Sequence, residues 1–202
     1  MAKKAYVYNG GAWEDLASSI SDLSSYATTV DLDDYQLKSV AGLTFITSGT
    51  FTAANTASFA TDTFSTTYEN YRVIVNVTVA SATQEMWIRL RAGTDSSENT
   101  YAFAFSLSSG VGNGLAQTKI RTGLHASTTD PCAFTFDVLS PRLSVDTTIV
   151  GTGHGLNSAG DTFNGGAFTG SFYITTPFDS MTILSSTGNF TGNYKVYGYG
   201  NS

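Results

Sequence analysis

Two histidines, His125 and His154, and one cysteine, Cys132, are the side chains best equipped for chemistry, and their spacing leaves them little to do. They form no His-x-Glu or His-Glu-x-x-His pattern, so a zinc site has almost nothing to recruit, and no metal or other cofactor is expected. A lone cysteine cannot close an intramolecular disulfide. Asp31-Leu-Asp-Asp34 is acidic enough to suggest calcium, but an EF-hand loop needs Gly at its sixth position and Glu at its twelfth. The chain has Gln36 and Gly42 there, which makes this run a solvated helix end or turn. Gly151-Thr-Gly-His-Gly-Leu156 lacks the glycine spacing and βαβ surroundings of a dinucleotide fingerprint. It reads as a loop of an all-β domain with His154 at its tip. There is no Gly-x-Ser-x-Gly elbow. Carboxylates from distant loops could meet as a glycosidase pair, yet nothing selects a pair. The chain is not expected to be an enzyme.

Binding is the chemistry that remains. Trp87, Arg89 and Arg91 share one alternation face, opposite Met86, Ile88 and Leu90. An arginine beside an aromatic suits a subunit contact or a sugar, and the same three residues also suit an ordinary exposed sheet face. The Gly-, Asn- and Ser-rich stretches 108–117 and 153–166 read as long loops, where a rigid sandwich carries recognition. Asn113, His154, Asn157 and Asn164 are the candidate receptor contacts they offer.

The elements that must position these residues follow from composition and period. Only 13% of the 202 residues are charged, against 41% hydrophobic and 13% aromatic, and serine and threonine together exceed a quarter of the chain. Threonine and aromatics favour strands, and the 20 glycines favour tight turns. A net charge of −6 removes the basic footprint of a nucleic-acid binder, and no polybasic patch suits an anionic membrane. No apolar run is long enough to span a bilayer, and polar residues follow Lys3-Lys4 where a secretion signal would be apolar.

Three parts separate. In 1–16, Tyr6-Val-Tyr8 and Ala12-Trp13 flank Asn9-Gly-Gly11, a hairpin signal too small to be stable alone. Tyr6, Tyr8 and Trp13 therefore dock onto something, either their own domain or another protein. In 17–41, with the seam opening at Leu16, Leu16, Ile20, Leu23, Ala27 and Val30 recur at helical spacing, the pattern of a short coiled coil or of an amphipathic helix on the domain behind it. Such a seam is too short to hold an oligomer alone, because ordering its backbone costs more than burying its apolar positions returns. In 42–202 the pattern is strands: Tyr71 to Val79 by twos, Met86-Ile88-Leu90, Tyr101 to Leu107, Phe134-Phe136-Val138, and Leu143-Val145-Thr147-Ile149. Runs at 168–174, 181–184 and 195–199 complete a β-sandwich or jelly-roll head, with turn clusters at 93–95, 110–114, 151–166 and 187–189.

Certain segments carry a resemblance. Thr63-Phe-Ser-Thr-Thr-Tyr-Glu-Asn-Tyr-Arg-Val-Ile-Val75 resembles a recurrent turn-to-strand segment of tailed-bacteriophage structural proteins. Gly188-Asn-Phe-Thr-Gly-Asn-Tyr-Lys-Val-Tyr-Gly-Tyr-Gly-Asn201 is similar to their terminal strand. Tyr6 to Leu16 looks like a virion-attachment segment, and Tyr26 to Lys38 resembles the linker repeats of tail fibres. The resemblance implies a non-enzymatic virion protein of the short tail fibre or receptor-binding type. It implies a homotrimer whose N-terminal anchor, Tyr6, Tyr8 and Trp13, meets other virion proteins, and whose β-rich head meets a host surface glycan or protein. Assembly would take place in the host cytoplasm. A capsid decoration or head-fibre protein has the same three parts and is the alternative.

Overall fold

The computed structural model describes residues 6–15, 42–95, 100–161 and 163–200. They fall in two compact units, one before Gly42 and one from Gly42 onward. In the first, β1 (Tyr6–Asn9) and β2 (Ala12–Asp15) pair antiparallel, with Tyr8 opposite Trp13 and Asn9 opposite Ala12. The intervening Gly10 and Gly11 have φ of 58° and 121°, the positive values a two-residue hairpin loop needs. The seam residues Leu16, Ile20, Leu23, Ala27 and Val30, and the acidic run 31–34, lie outside the described residues. Among the described residues there is no helix.

The second unit is all-β. Its strands are β3 (Leu43–Ala54), β4 (Thr56–Ser58), β5 (Asn70–Ala80), β6 (Gln84–Ala92), β7 (Thr94–Asp95), β8 (Tyr101–Leu107), β9 (Gly110–Gln117) and β10 (Ile120–Ala126). They continue as β11 (Cys132–Leu139), β12 (Thr147–Leu156), β13 (Phe163–Phe172), β14 (Ser180–Ser185) and β15 (Phe190–Tyr199). Every pairing is antiparallel. One path runs β3-β15-β5-β11-β12-β13-β8-β9, and another runs β10-β6-β14-β4 with β7 on β6. The two join through a single Cα pair, His125 with Leu156, so the sheet is nearly closed on itself.

Period-2 patterning decides which face goes inward. Tyr71, Val73, Val75 and Val77 are fully buried, as are Met86, Ile88, Leu90, Val138 and Ile149. Phe134, Phe136 and Phe168 lie within 6.1 Å of one another, and Phe172 contacts Tyr101 and Phe178 edge-on. The buried tyrosine hydroxyls have partners, as burial requires: Tyr71 donates to the Ser65 carbonyl, and Tyr101 accepts from the Leu90 N–H. Cys132 is buried in this core, and burial pushes its thiol up to about 12, which keeps it protonated and inert.

Four readings of the sequence are corrected. Val79 is 40% exposed, because a bulge against β15 shifts the register by one and turns it outward. Leu143 and Val145 lie in the exposed turn before β12. The segment 110–114 is part of strand β9. The segment 151–166 is mostly strand, and the described residues between β12 and β13, 157–161, form a turn. The glycines in these strands would ordinarily weaken them. Here they leave room for aromatic rings on the next strand. A Cβ added at Gly112 would lie 2.3 Å from Phe105 Cζ, and one at Gly151 would lie 2.4 Å from Phe168 Cζ. The rings cover the bare backbone and take the volume that the missing side chains release.

Candidate functional site

Strands β15, β5, β11, β12, β13, β8 and β9 present a broad outer face, and the register fixes its rows. One row runs Tyr197, Arg72, Asp137, Val150, Thr169, Ala104, Asn113 across the strands. The next runs Lys195, Ile74, Thr135, Thr152, Ala167, Ser106, Val111. Small side chains dominate the middle, and there the face sinks into an open depression of about 780 Å³ walled by Ile74, Asn76, Thr135, Thr152, His154 and Ala167. Small Thr, Ser and Ala side chains occupy the outward positions here: Thr152 on β12, Ala167 and Thr169 on β13, and Ala104 and Ser106 on β8. They leave backbone and hydroxyl groups within reach of a ligand. Two hydroxyls are already committed: Thr135 donates to the Val73 carbonyl and Thr169 to the Ile149 carbonyl.

One polar cluster is built into this face. Arg72 donates from both Nε and Nη2 to Asp137 at 2.8 and 2.9 Å, and the Tyr199 hydroxyl donates to the same carboxylate at 2.6 Å. The Arg72 guanidinium also lies 5.5 Å from the Tyr199 ring. Partial burial works to raise the Asp137 pKa, but the bonds from Arg72 and Tyr199 outweigh it and hold the carboxyl below its ordinary value. Burial, and then the hydrogen bond to Asp137 and its charge, push the Tyr199 phenol up to about 12. The cluster is self-satisfied and rigid, a fixed dipole rather than an acid–base pair.

The structure disperses the sequence candidates. His154 is exposed on β12, in the wall of the depression, with its ring 6.3 Å from that of Phe163. It stands on a strand face and not at a loop tip, which corrects that reading. Asn113 is exposed on the same face at β9, roughly 20 Å away by strand spacing and rise. Asn157 caps the 157–161 turn, its Oδ1 accepting from the Gly160 and Asp161 N–H groups and its Nδ2 donating to Asp161. Asn164 is 2% exposed, and its Oδ1 accepts from Ser108 Oγ and the Ser109 N–H, so its side chain fastens the β8–β9 turn from inside. Tyr6, Tyr8 and Trp13 lie on the hairpin strands of the other unit.

The sequence reading missed the Arg72–Asp137–Tyr199 cluster. Its signal was there in part: Arg72 and Asp137 are the charged residues, each at an outward position, of two otherwise uncharged strands. Only the β5–β11 register makes them neighbours. Among the described residues, no group of three His, Cys, Asp or Glu side chains could hold a metal ion. None of the described helices is long and apolar enough to cross a membrane, since there are none. Comparison of the chain with protein-family models, with curated proteins and with solved structures finds no match in any of the three.

Proposed function

We propose that this chain is a non-enzymatic structural protein of a tailed-phage virion, a trimeric short tail fibre or spike. In this reading Tyr6, Tyr8 and Trp13 on the hairpin dock on another virion protein. The seam through Leu16, Ile20, Leu23, Ala27 and Val30 sets the trimer register. The two strand paths from Gly42 onward pack face to face as a sandwich, with Ile120 of β10 against Gly170 of β13 and Leu124 against Gly153 of β12. The outer face of the longer path contacts a host surface glycan or protein.

The observation that carries the reading is that outer face: six and more strands wide, rigidly hydrogen-bonded, lined by small Thr, Ala, Ser and Asn side chains around a shallow depression. A face of this kind offers shape and hydrogen bonds to a ligand and supplies no nucleophile–base pair. The resemblance of the 63–75 and 188–201 segments to phage structural proteins supplies the biological setting. Labelled protein mixed with separated phage tails and empty heads tests it. Attachment to tails is the expected result. Attachment to empty heads would make the chain a capsid decoration protein, and release of reducing ends from host polysaccharide would make it an enzyme.

A further inference from the structure

An acidic chain of net charge −6 gathers four of its ten Lys and Arg residues in one place: Arg89, Arg91, Lys119 and Arg121 stand on β6, on β10 or just before it. The register sets Arg121 beside Trp87, and Arg89 follows two residues along the same outward face. The Lys119 ammonium lies 4.0 Å from the Trp87 ring centroid. Arg89 Nε donates to the Thr118 carbonyl at 3.0 Å, which ties β6 to the β9–β10 connection and holds the guanidinium in place.

The charges do not cancel. Glu85 is buried and accepts from Arg121 at 2.6, 2.9 and 3.1 Å and from the Gly123 N–H, so its capacity is spent on one cation. Arg89 and Lys119 have no carboxylate partner among the described residues. Burial lowers the Lys119 pKa, and the neighbouring charges of Arg89 and Arg121 lower it further against a smaller opposing pull from Glu85. The Trp87 indole N–H is buried without an acceptor. Two uncompensated cations held beside an aromatic face form a site that an anion would complete.

We propose that Trp87, Arg89 and Lys119 form a binding site for an anionic saccharide, whose carboxylate or phosphate accepts from Arg89 and Lys119 while the apolar face of the sugar ring rests on Trp87. This rests on the reading that the head contacts a host surface, and it adds to the outer face of the longer path a second contact, on the β6 and β10 side, with a stated class of glycan. The Lys119 side chain, now over the ring, swings to the anion and yields its place to the sugar. A nucleic acid is disfavoured: Trp87 is the one part-exposed aromatic of the site, since Phe103 beside Arg121 is buried, there is no continuing basic track among the described residues, and the charge of the whole chain repels a long polyanion.

Calorimetric titration of the full chain tests the site with three probes: trigalacturonate, its neutral methyl ester, and glucose 6-phosphate. One or both anionic probes should bind, and which one binds distinguishes carboxylate from phosphate. The ester should bind at least about tenfold more weakly, and Arg89→Ala with Lys119→Ala should weaken the anion about tenfold or more, in line with charge-assisted bonds. Circular dichroism checks that the double variant is folded; the single variant Lys119→Gln serves if it is not. Equal binding of the ester, unchanged binding by folded variants, or no binding of either anion at about 10 mM would overturn the proposal. Adherence of the labelled protein to host cells is scored separately. Parent and double variant adhering equally would sink the site and leave host binding standing. Saccharide binding without adherence would do the reverse.

Discussion

The Asp137 carboxylate accepts from Arg72 and from the Tyr199 hydroxyl, and each bond moves a titration in a definite direction. A carboxyl whose folded pKa lies below its unfolded value stabilises the fold above that value, and the contribution is lost as pH falls through the folded pKa. The acid limb of a thermal-stability profile should therefore steepen below the ordinary value of 3.8, and Asp137→Asn should flatten it. Tyr199 works in the opposite sense. Its folded pKa of about 12 stands above the ordinary 10.0, so its contribution is complete below pH 10 and is lost as pH rises toward 12. Tyr199→Phe should remove that part of the alkaline loss. Arg72 is 39% exposed at its side chain, so solvent screens the pair, and Arg72→Ala should cost only about 1 kcal/mol in chemical denaturation. Glu85 differs because its side chain is only 3% exposed. Glu85→Ala strips Arg121 and the Gly123 N–H of their acceptor and should cost about 2–3 kcal/mol. A loss under 0.5 kcal/mol would show that water replaces the carboxylate.

At the scale of the strands, the paired glycines and aromatics make a sharper test than the apolar core. Gly151→Ala places a methyl 2.4 Å from Phe168 Cζ, 2.6 Å from Phe136 Cβ and 2.8 Å from the Thr135 carbonyl oxygen. Two of these neighbours cannot swing away, so the substitution should destabilise by about 1–3 kcal/mol. Gly165→Ala on the next strand meets nothing closer than 3.5 Å and should change stability by about 0.5 kcal/mol or less. Equal effects would refute the account of the glycine-rich strands. The same pairs explain what was legible in the sequence. Apolar alternation alone placed β5, β6, β8 and β11, because each buries large side chains on one face. β9 and the second half of β12 looked like loops, since their inward positions are glycines and the rings that fill the space belong to β8, β11 and β13. Val79 was misplaced because a bulge in the pairing leaves no trace in one strand's own pattern. His154 is exposed, though on a strand and not at a loop tip, and Asn164, a candidate receptor contact, is buried because its acceptor is used by the β8–β9 turn.

For the molecule as a whole, the all-β unit was legible from threonine, aromatic and glycine content, while the pairing order was not. Strands β3 and β15 stand at opposite ends of the unit's sequence and lie side by side. The fibre reading joins this head to a hairpin anchor and a seam, and it makes the oligomer the quantity at stake. Ile20→Asp with Leu23→Asp should convert the assembly to monomers, or weaken it strongly, while the head stays folded. Light scattering on the 202-residue chain is the most direct test. The account predicts a stable species of three times the 21.4 kDa chain mass. A monomer that persists at high protein concentration would contradict it.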